Sequence, residues 1–414
     1  MNIIVQKYGG TSVRDESSRE HAAKHIKKAL ADGYKVVVVV SAMGRKGDPY
    51  ATDTLLSLVE GNNTKISKRE TDLLLSCGEV ISSVVFSNML KEHGITAAAL
   101  TGAQAGFRTN NDHTNAKIID MKCDRILKEL ENHDVIVVAG FQGSSKTGDV
   151  TTIGRGGSDT SAAALGAALN AEWIDIFTDV EGIMTADPRI AENARPLSVV
   201  TYTEVCNMAY QGAKVIHPRA VEIAMQAKIP IRIRSTYSDS LGTLVTTLNK
   251  NRRGTDIKER SVTGIAHVSN VTQIKVLAKK DQYDLQSEVF KAMANQGISV
   301  DFINIYPNGV NYTVTEEMTD KAISILNGLG HDPLVERECA KVSVVGAGMQ
   351  GVPGVASRIV TALSEQGIRI LQSADSHTTI WVLVKQADLI KSVNALHDAF
   401  RLEEDLAEYE RTDI

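Results

Sequence analysis

The first 235 residues repeat one pattern, in which a short run rich in β-branched residues is followed by a longer segment with helical periodicity. Continuous apolar runs such as VVVVV at residues 36–40 suit strands that are covered on both faces. Strands that alternate with amphipathic helices indicate an α/β domain with a mostly parallel sheet. The predicted strands are 2–6, 36–41, 134–139, 173–178 and 231–234. The predicted helices are 17–31, 68–92, 115–131, 159–169 and 203–227.

The second part of the chain has a different organisation. Residues 248–261 are rich in Asn, Lys, Arg, Gly and Asp, which is typical of a linker. Beyond them, FKAMANQGISV (290–300) and VTALSEQGIRI (360–370) align as a helix that ends at glycine and leads into a strand. The alignment predicts a repeated small α+β module. We expect an α/β domain at 1–247, a linker at 248–261, and modules at 262–337 and 338–414.

Composition narrows the possible partners. A chain of 414 residues is too long for one ordinary core. Its net charge of -5 and the absence of a long Lys/Arg stripe disfavour nucleic acid as a partner. Near the N-terminus no apolar run approaches the about 20 residues that span a bilayer, and no leading signal peptide is evident. We therefore expect a cytoplasmic protein with small-molecule ligands and no membrane or nucleic-acid partner.

Neither the cysteines nor the histidines suggest a dedicated metal site. The four cysteines show no CxxC spacing. Among the ten histidines, His21 and His25 are the single HxxxH pair and no HxH pair occurs, which by itself is a weak metal signal. Any metal is expected to arrive with a substrate.

Two glycine-rich turns have the character of phosphate-binding loops. KYGGTSV (7–13) lies between the first predicted strand and a helix, so its backbone N–H groups can approach phosphate closely, with Lys7 as a mobile cation. TTIGRGGSDTSAAALGAAL (151–169) joins a glycine turn to a helix and adds Arg155, whose planar fork suits a carboxylate or phosphate. Asp159 could orient Lys7.

Each loop also has a purely structural interpretation. The first could be a plain turn with Ser12 as the helix N-cap, and the second a capping box with Ser158 or Asp159 as the N-cap. Capping alone explains neither the arginine nor the neighbouring glycines of the second loop.

Seven motifs in order resemble the aspartate kinases of the amino acid kinase family, and the resemblance covers essentially the whole chain. They are KYGGTSV (7–13), SAMG (41–44), TDTLL (52–56), SCGE (76–79), GRGGSDTSA (154–162), FTDVEGIMTADPR (177–189) and GAKVIHPRA (212–220). The resemblance implies a three-layer amino acid kinase fold with a mostly parallel sheet, followed by two ferredoxin-like (βαββαβ) ACT domains. It implies transfer of the γ-phosphoryl group of ATP, with Mg²⁺, to the side-chain carboxylate of L-aspartate.

Carried over by position, the family pattern assigns residues to both substrates. For aspartate it implies Thr52, Glu79, Arg155, Gly156, Gly157 and Ser158. For ATP it implies Lys7, Gly9, Gly10, Ser41, Thr178, Asp179, Asp187, Arg189 and Lys214, with Lys7 and Asp159 catalytic. An acid for the ammonium and a bidentate cation for the α-carboxylate would leave the side-chain carboxylate directed at ATP. That carboxylate is already ionised at pH 7, so no general base is required.

Some members of this set have ordinary alternatives. Glu79 could be a solvated helix residue, Lys214 a solvated lysine and ADPR (186–189) only a proline turn. The Cys-Gly pair before Glu79 is unfavourable in a helix, which favours a functional reason. Met184 replaces the tyrosine that many relatives have in this motif. His217 is expected to be structural.

The second module contains VSVVGAGMQG (342–351), which matches the dinucleotide pattern G-x-G-x-x-G. We reject that interpretation because Pro353 would fall inside the required helix and because too little chain follows. The segment resembles instead the effector loop of an ACT domain. Candidate effector contacts are Met349, Gln350, Val352, Pro353, Gly354, Asp375 and His377.

The resemblance also implies feedback inhibition by an end product of the aspartate pathway and a homodimer formed through the ACT domains. QSADSHTTI (372–380) lacks the glutamate of the STSE-like stretch that many lysine- or threonine-sensitive relatives carry. Diaminopimelate is therefore the leading expectation for the effector, ahead of lysine or threonine.

Two other functions stay open on the sequence. One is another amino acid kinase, such as acetylglutamate kinase, which lacks tandem modules. The other is a catalytically silent amino-acid sensor that keeps the fold as a scaffold, against which the retained Lys7, Arg155, Asp159 and Asp179 argue.

Overall fold

The computed structural model describes residues 1–59, 64–213, 215–247, 261–279, 282–347, 349 and 352–404. These residues divide into two compact units. The first contains 1–183, 196–209 and the described residues of 214–254. The second contains 184–195, 210–213 and the described residues from 255 onward. Two short segments of the first 235 residues therefore belong to the second unit.

The elements follow in chain order. The strands of the first unit are β1 (Ile3–Tyr8), β2 (Lys35–Val40), β3 (Ala97–Leu100), β4 (Phe107–Thr109), β5 (Ile118–Met121), β6 (Val135–Ala139), β7 (Gln142–Ser144), β8 (Val150–Thr152), β9 (Ile174–Thr178), β10 (Val199–Thr201), β11 (Ile231–Ser235) and β12 (Thr243–Thr246). The helices are α1 (Gly10–Val13), α2 (Glu16–Ala31), α3 (Thr52–Ser57), α4 (Lys68–Glu92), α5 (Asp124–Leu130), α6 (Gly157–Leu169), α7 (Tyr202–Tyr210) and α8 (Pro218–Ala227).

An eight-stranded sheet in the order β10-β12-β11-β9-β1-β2-β6-β3 forms the centre of the first unit. Every pair in it is parallel except β11 and β12. All five valines of β2 are fully buried, as a strand covered on both faces requires. The prediction of a mostly parallel sheet is confirmed. Strands β1 and β9 are neighbours with Tyr8 opposite Phe177, so the segments that follow them start at the same edge.

Two helix predictions for this unit are wrong. Residues 115–131 form strand β5 and the short helix α5, because β5 pairs with β4 in a separate four-stranded sheet, β5-β4-β7-β8. Pairing with the preceding strand β4 outweighs local helical preference here. Residues 203–227 form two helices, since Gly212 adopts a φ of +108° and Pro218 opens α8 at its first position.

The second unit contains β13 (Gly264–Leu277), α9 (Leu285–Asn295), β14 (Asp301–Tyr306), β15 (Gly309–Thr315), α10 (Thr319–Gly328), β16 (Leu334–Val345), α11 (Val355–Glu365), β17 (Gln372–Asp375), β18 (Thr379–Lys385) and α12 (Leu389–Ala399). Its strands form one antiparallel sheet in the order β14-β15-β13-β16-β18-β17. The long strands β13 and β16 run through both modules: residues 264–268 pair with 341–345, and 273–275 with 334–336.

Each module has its own apolar core. The first is built around Ile274, Val289 and Tyr312, and the second around Val342, Ile359 and Val393. Ala186 and Ala191 from the segment 184–195 are buried in the second core. Within this unit the backbone N–H of Ile265 also donates to the carbonyl of Thr185 at 2.7 Å.

Within the described part of the chain, only α4 has the length and apolar content of a membrane-crossing helix. More than half of its most apolar window, 56%, is buried inside the protein. The helix also turns the charged residues Asp72 and Glu79 inward. These features are those of a core helix.

Candidate functional site

One pocket of about 410 Å³ in the first unit gathers most of the predicted substrate residues. It is lined by Lys7, Ser41, Thr52, Asp53, Leu75, Glu79, Thr114, Phe141, Thr152, Gly154, Arg155, Gly156, Gly157, Ser158 and Asp159. Both glycine-rich loops, or the residues next to them, therefore reach the same cavity. Gly9, Gly10, Thr178 and Asp179 of the same unit do not line it.

Lys7 lies near the end of β1 and pairs with Asp159 across the pocket. Its Nζ is 2.7 Å from the carboxylate Oδ1, and both side chains are largely buried. The glycines that follow Lys7 allow the chain to turn tightly: a Cβ on Gly10 would stand 2.6 Å from the carbonyl oxygen of Gly44. The Lys7 ammonium is therefore held in place by the Asp159 carboxylate.

Neither loop uses the caps that the structural alternatives required. Ser12 is the third residue of α1 rather than its N-cap, and its hydroxyl bonds Thr236 Oγ1 at 2.7 Å. Helix α6 has Gly156 as its N-cap, in a left-handed conformation and without a side-chain cap bond. The capping interpretation of Ser158 and Asp159 is therefore wrong. The uncapped end of α6 presents Gly157 and Ser158 to the pocket, and a helix N-terminus favours anions.

His217 supports this loop from behind, as a structural residue. A Cβ on Gly156 would stand 2.2 Å from the His217 ring, so the two are in close contact. The His217 N–H donates to Asp159 Oδ2 at 3.3 Å, and its Nδ1 accepts from the Arg219 N–H at the start of α8. Asp159 is thus held on one side by Lys7 and on the other by this turn.

Glu79 is a buried acid with an unused oxygen. Only 2% of the residue is exposed, and burial raises the pKa of its carboxyl to about 8. The N–H of Ala42 donates to Oε1 at 3.1 Å, whereas Oε2 has no hydrogen-bond partner among the described residues. A buried acceptor without a donor is costly, and a substrate ammonium would satisfy it.

The unfavourable glycine before Glu79 has a packing reason. A Cβ on Gly78 would stand 2.8 Å from the Ala42 Cβ and 2.9 Å from the Tyr50 carbonyl oxygen. Glycine therefore lets the 42–50 loop lie directly on α4, which brings the Ala42 N–H to Glu79.

Arg155 is the exposed member of the set. It is exposed at the pocket rim and makes no hydrogen bond or ion pair with the described residues. Thr52 stands at the first position of α3 and lines the same pocket as Glu79. The pocket thus offers an acid, a free guanidinium, a lysine and a helix N-terminus, which suits a ligand carrying an ammonium group, a carboxylate and a phosphate.

The predicted nucleotide residues have separate local structures. In the first unit, Thr178 ends β9 and Asp179 accepts from Arg45 at 2.6 Å. In the second unit, Arg189 binds both oxygens of Asp187, at 3.0 and 2.7 Å, and this lowers the pKa of Asp187. Lys214 lies outside the described residues.

The predicted effector residues differ from one another in exposure. Met349 is buried in the core of the second module. Val352, Pro353, Gly354, Asp375 and His377 are exposed, and Gln350 lies outside the described residues. Helix α11 begins only at Val355, after Pro353, which agrees with rejection of the dinucleotide motif.

Sequence reasoning missed five residues of the pocket wall, which are Asp53, Leu75, Thr114, Phe141 and Thr152. Thr114 and Phe141 adopt φ angles of 72° and 66°, which residues other than glycine rarely do. Neither threonine nor phenylalanine signals such a conformation in advance. The buried Asp72 behind this wall was missed as well, because α4 looks amphipathic without it.

The donor set fits a metal that arrives with phosphate. Among the residues described, the one cluster of three metal-ligand side chains is His397, Asp398 and Glu403, in the second unit. Around the pocket, Asp159 is engaged by Lys7. Mg²⁺ usually keeps several waters and binds substrate phosphates with few protein ligands, so this set is compatible with it.

Comparison with known proteins gives a consistent result. Residues 2–235 match the amino acid kinase family, and residues 334–398 match an ACT domain. Aspartokinase 1 of Bacillus subtilis strain 168 is 68% identical over 402 residues, covering 97% of this chain and 100% of the relative. The aspartokinase of Geobacillus stearothermophilus is 40% identical over 98% of this chain and 99% of its own length.

Solved structures agree with these relatives. E. coli aspartokinase III in complex with aspartate and ADP (R-state) has a TM-score of 0.76 at 27% identity, covering 96% of this chain and 99% of that one. The same enzyme with lysine and aspartate (T-state) has a TM-score of 0.77 at 28% identity, with the same coverage.

Proposed function

This chain belongs to the aspartokinases of the amino acid kinase family, and from that premise we propose which of its residues hold each substrate. The enzyme transfers the γ-phosphoryl group of ATP to L-aspartate, giving ADP and 4-phospho-L-aspartate. The pocket of the first unit is the proposed site of that transfer.

Aspartate is proposed to bind through its α-ammonium and α-carboxylate groups. Glu79 accepts the ammonium at its unpartnered Oε2, and Arg155 binds the α-carboxylate with its fork. Thr52 and the 156–158 turn complete the contacts. The side-chain carboxylate is left to point toward Lys7, and it attacks phosphorus as an ionised group without a general base.

Phosphoryl transfer is proposed to rest on positioning and charge. Lys7 neutralises charge on the γ-phosphoryl oxygens, and Asp159 fixes its ammonium at 2.7 Å. Gly9 and Gly10 allow close approach of backbone to phosphate, and Ser41 contacts the nucleotide. Mg²⁺ is proposed to be held by the phosphates of ATP and by water, where it supplies charge neutralisation.

The remaining nucleotide contacts are proposed from the resemblance. The resemblance implies Thr178, Asp179, Asp187, Arg189 and Lys214, and these stay predictions. Support for Thr178 and Asp179 comes from their place at the carboxyl end of a parallel strand, where α/β sheets bind ligands.

The observation that carries the proposal is the buried Glu79, with an unpartnered oxygen in the same pocket as the Lys7–Asp159 pair. The test is hydroxylamine trapping of the acyl phosphate with ATP and Mg²⁺, comparing aspartate, glutamate and N-acetylglutamate. Trapped product is expected with aspartate alone. Product with N-acetylglutamate would favour acetylglutamate kinase, and no product with any acceptor would favour a silent sensor.

Regulation is proposed to act through the second unit. An ACT domain matches this region, and E. coli aspartokinase III has been solved with lysine. For this chain we propose diaminopimelate as the effector, bound near 349–354 with Asp375 and His377, and lysine or threonine as alternatives. Three further points stay predictions. They are a homodimer formed through the ACT domains, a cytoplasmic location, and the domain limits 1–247, 262–337 and 338–414.

A further inference from the structure

Asp72 is a fully buried carboxylate that stands behind the pocket rather than in it. It lies on α4 two helical turns before Glu79, so both carboxylates are on the same face of that helix. None of its surface is exposed, and it does not line the pocket. The assignments of substrate and nucleotide residues do not use it.

Three donors surround this carboxylate. The Thr114 N–H donates to both oxygens, at 3.0 and 3.1 Å, and His113 Nδ1 lies 2.8 Å from Oδ2. The Thr152 hydroxyl donates to Oδ1. Since a carboxylate only accepts, His113 carries its proton on Nδ1. Two of the donor residues, Thr114 and Thr152, also line the pocket.

The segment held in this way is strained. Thr114 has a φ of 72°, which is unfavourable for a β-branched residue. Strained backbone persists only where surrounding interactions hold it, and such residues concentrate at functional sites. The hydrogen bonds that Asp72 accepts from Thr114 and His113 are interactions of that kind.

The same segment also braces the loop that carries Arg155. A Cβ on Gly154 would stand 2.8 Å from Asn115 Oδ1 and 3.3 Å from the Thr114 carbonyl oxygen, so the two segments touch. The Ala116 N–H donates to the Thr152 carbonyl at 2.9 Å. A shift of residues 113–116 would therefore move Gly154 and, with it, Arg155.

We infer that Asp72 is a positioning residue for aspartate: through His113 and Thr114 it fixes the pocket wall and the Arg155 loop. This inference rests on the proposed roles of Arg155 and the pocket. It predicts an effect on aspartate rather than on ATP, because Lys7 and its glycines lie on β1 and α1, outside this network.

The test compares Asp72→Asn with the parent enzyme by steady-state kinetics in both substrates. The amide keeps one acceptor oxygen and replaces the other by an NH2 group, so at least one N–H group of Thr114 or His113 loses its acceptor. We expect the KM for aspartate to rise about tenfold or more, since small displacements of a positioning group are costly, while the KM for ATP changes less than about twofold. Equal increases in both KM values, or a lower Tm with unchanged KM values, would overturn the inference.

A second pair of variants tests the same network if Asp72→Asn fails to fold. His113→Asn keeps a donor toward Asp72, and His113→Leu removes it. Asparagine is expected to retain the parent KM for aspartate, whereas leucine raises it. If both behave alike, the bond to Asp72 has no positioning role.

Two controls separate this inference from the proposed site. Asp134→Asn changes a carboxylate that accepts from Thr96 and Lys35 away from the pocket, and it should leave both KM values unchanged. Arg155→Lys in the same assay tests the site itself. If it raises the KM for aspartate and Asp72→Asn does not, only the present inference fails. If Arg155→Lys also has no effect, the proposed site fails.

Discussion

Polar groups are held differently in the pocket of the first unit and in the proposed effector segment of the second, which contains Met349, Asp375 and His377. In the pocket, Glu79 and Asp159 are buried and are fixed by neighbouring groups of the protein itself. In the second unit, Asp375 and His377 are exposed, and Met349 is turned into the core. Catalysis gains from donors and charges fixed in advance, whereas a regulatory ligand acts by favouring one arrangement over another.

The largest effect should come from Lys7, the proposed catalytic lysine. Lys7→Ala removes the cation held by Asp159, and we expect kcat to fall by about a hundredfold or more with the fold intact. Steady-state kinetics measures kcat, and circular dichroism measures whether the fold is intact. Lys35→Ala, which breaks a partly exposed pair with Asp134, is the matched control and should keep kcat. A change confined to the KM for ATP would contradict a role in the transition state.

The next effect concerns the guanidinium fork. Arg155→Lys keeps the charge but loses bidentate geometry, so we expect the KM for aspartate to rise by about tenfold or more. Initial rates at varied aspartate measure it, with Arg125→Lys on the exposed face of α5 as control. Unchanged aspartate kinetics together with weaker ATP binding would assign Arg155 to the nucleotide instead.

Glu79 should make aspartate binding depend on pH. Its pKa of about 8 means that most of the free enzyme is protonated there at pH 7, whereas an ammonium ligand requires the carboxylate. Affinity for aspartate should therefore rise about fivefold from pH 7 to pH 8, which is the gain in the ionised fraction. Isothermal titration calorimetry measures it. Glu79→Gln should weaken binding and abolish the slope, and a retained slope would assign it to another group.

The same carboxyl also bears on stability. Its pKa is raised from 4.5 to about 8, so the folded protein holds this proton longer than the unfolded chain as pH rises. The contribution of Glu79 to ligand-free stability is therefore present below about pH 4.5 and is lost toward pH 8. Denaturant midpoints for Glu79→Gln should fall less steeply over that window.

The smallest effect on catalysis is expected in the second unit. Diaminopimelate should inhibit the enzyme and raise its Tm, and Asp375→Ala or His377→Ala should weaken inhibition severalfold with little change in uninhibited kcat. Asp332→Ala, an exposed acid in another loop, is the control. No change in activity or Tm with diaminopimelate, lysine, threonine or methionine, alone or paired, would contradict feedback regulation.

Deletion of residues 262–414 would not be a clean test of feedback regulation. Ala186 and Ala191 are buried in the core of the second module, which the deletion would remove. The truncated chain would expose the segment that carries Asp187 and Arg189. Loss of activity would then report unfolding rather than regulation, so point variants are more informative.

The sequence by itself determined the parts of this protein that depend on local pattern. The valines of β2 predicted a strand buried on both faces, and the glycines beside Lys7 and Arg155 predicted turns beside a ligand. The motif order also indicated the family. These features are readable because strand burial and glycine turns depend mainly on residues close together in the chain.

Tertiary structure decided what depends on distant partners. Strand β5 forms, against the helical preference of residues 115–131, because it pairs with β4, and β4 pairs in turn with β7 much later in the chain. Thr114 keeps its left-handed conformation while bonded to Asp72, 42 residues away in the chain. Glu79 acquires its raised pKa only when the helix carrying it is buried. Hydrogen bonds and desolvation between distant residues have no periodic signature, so they follow from the folded chain alone.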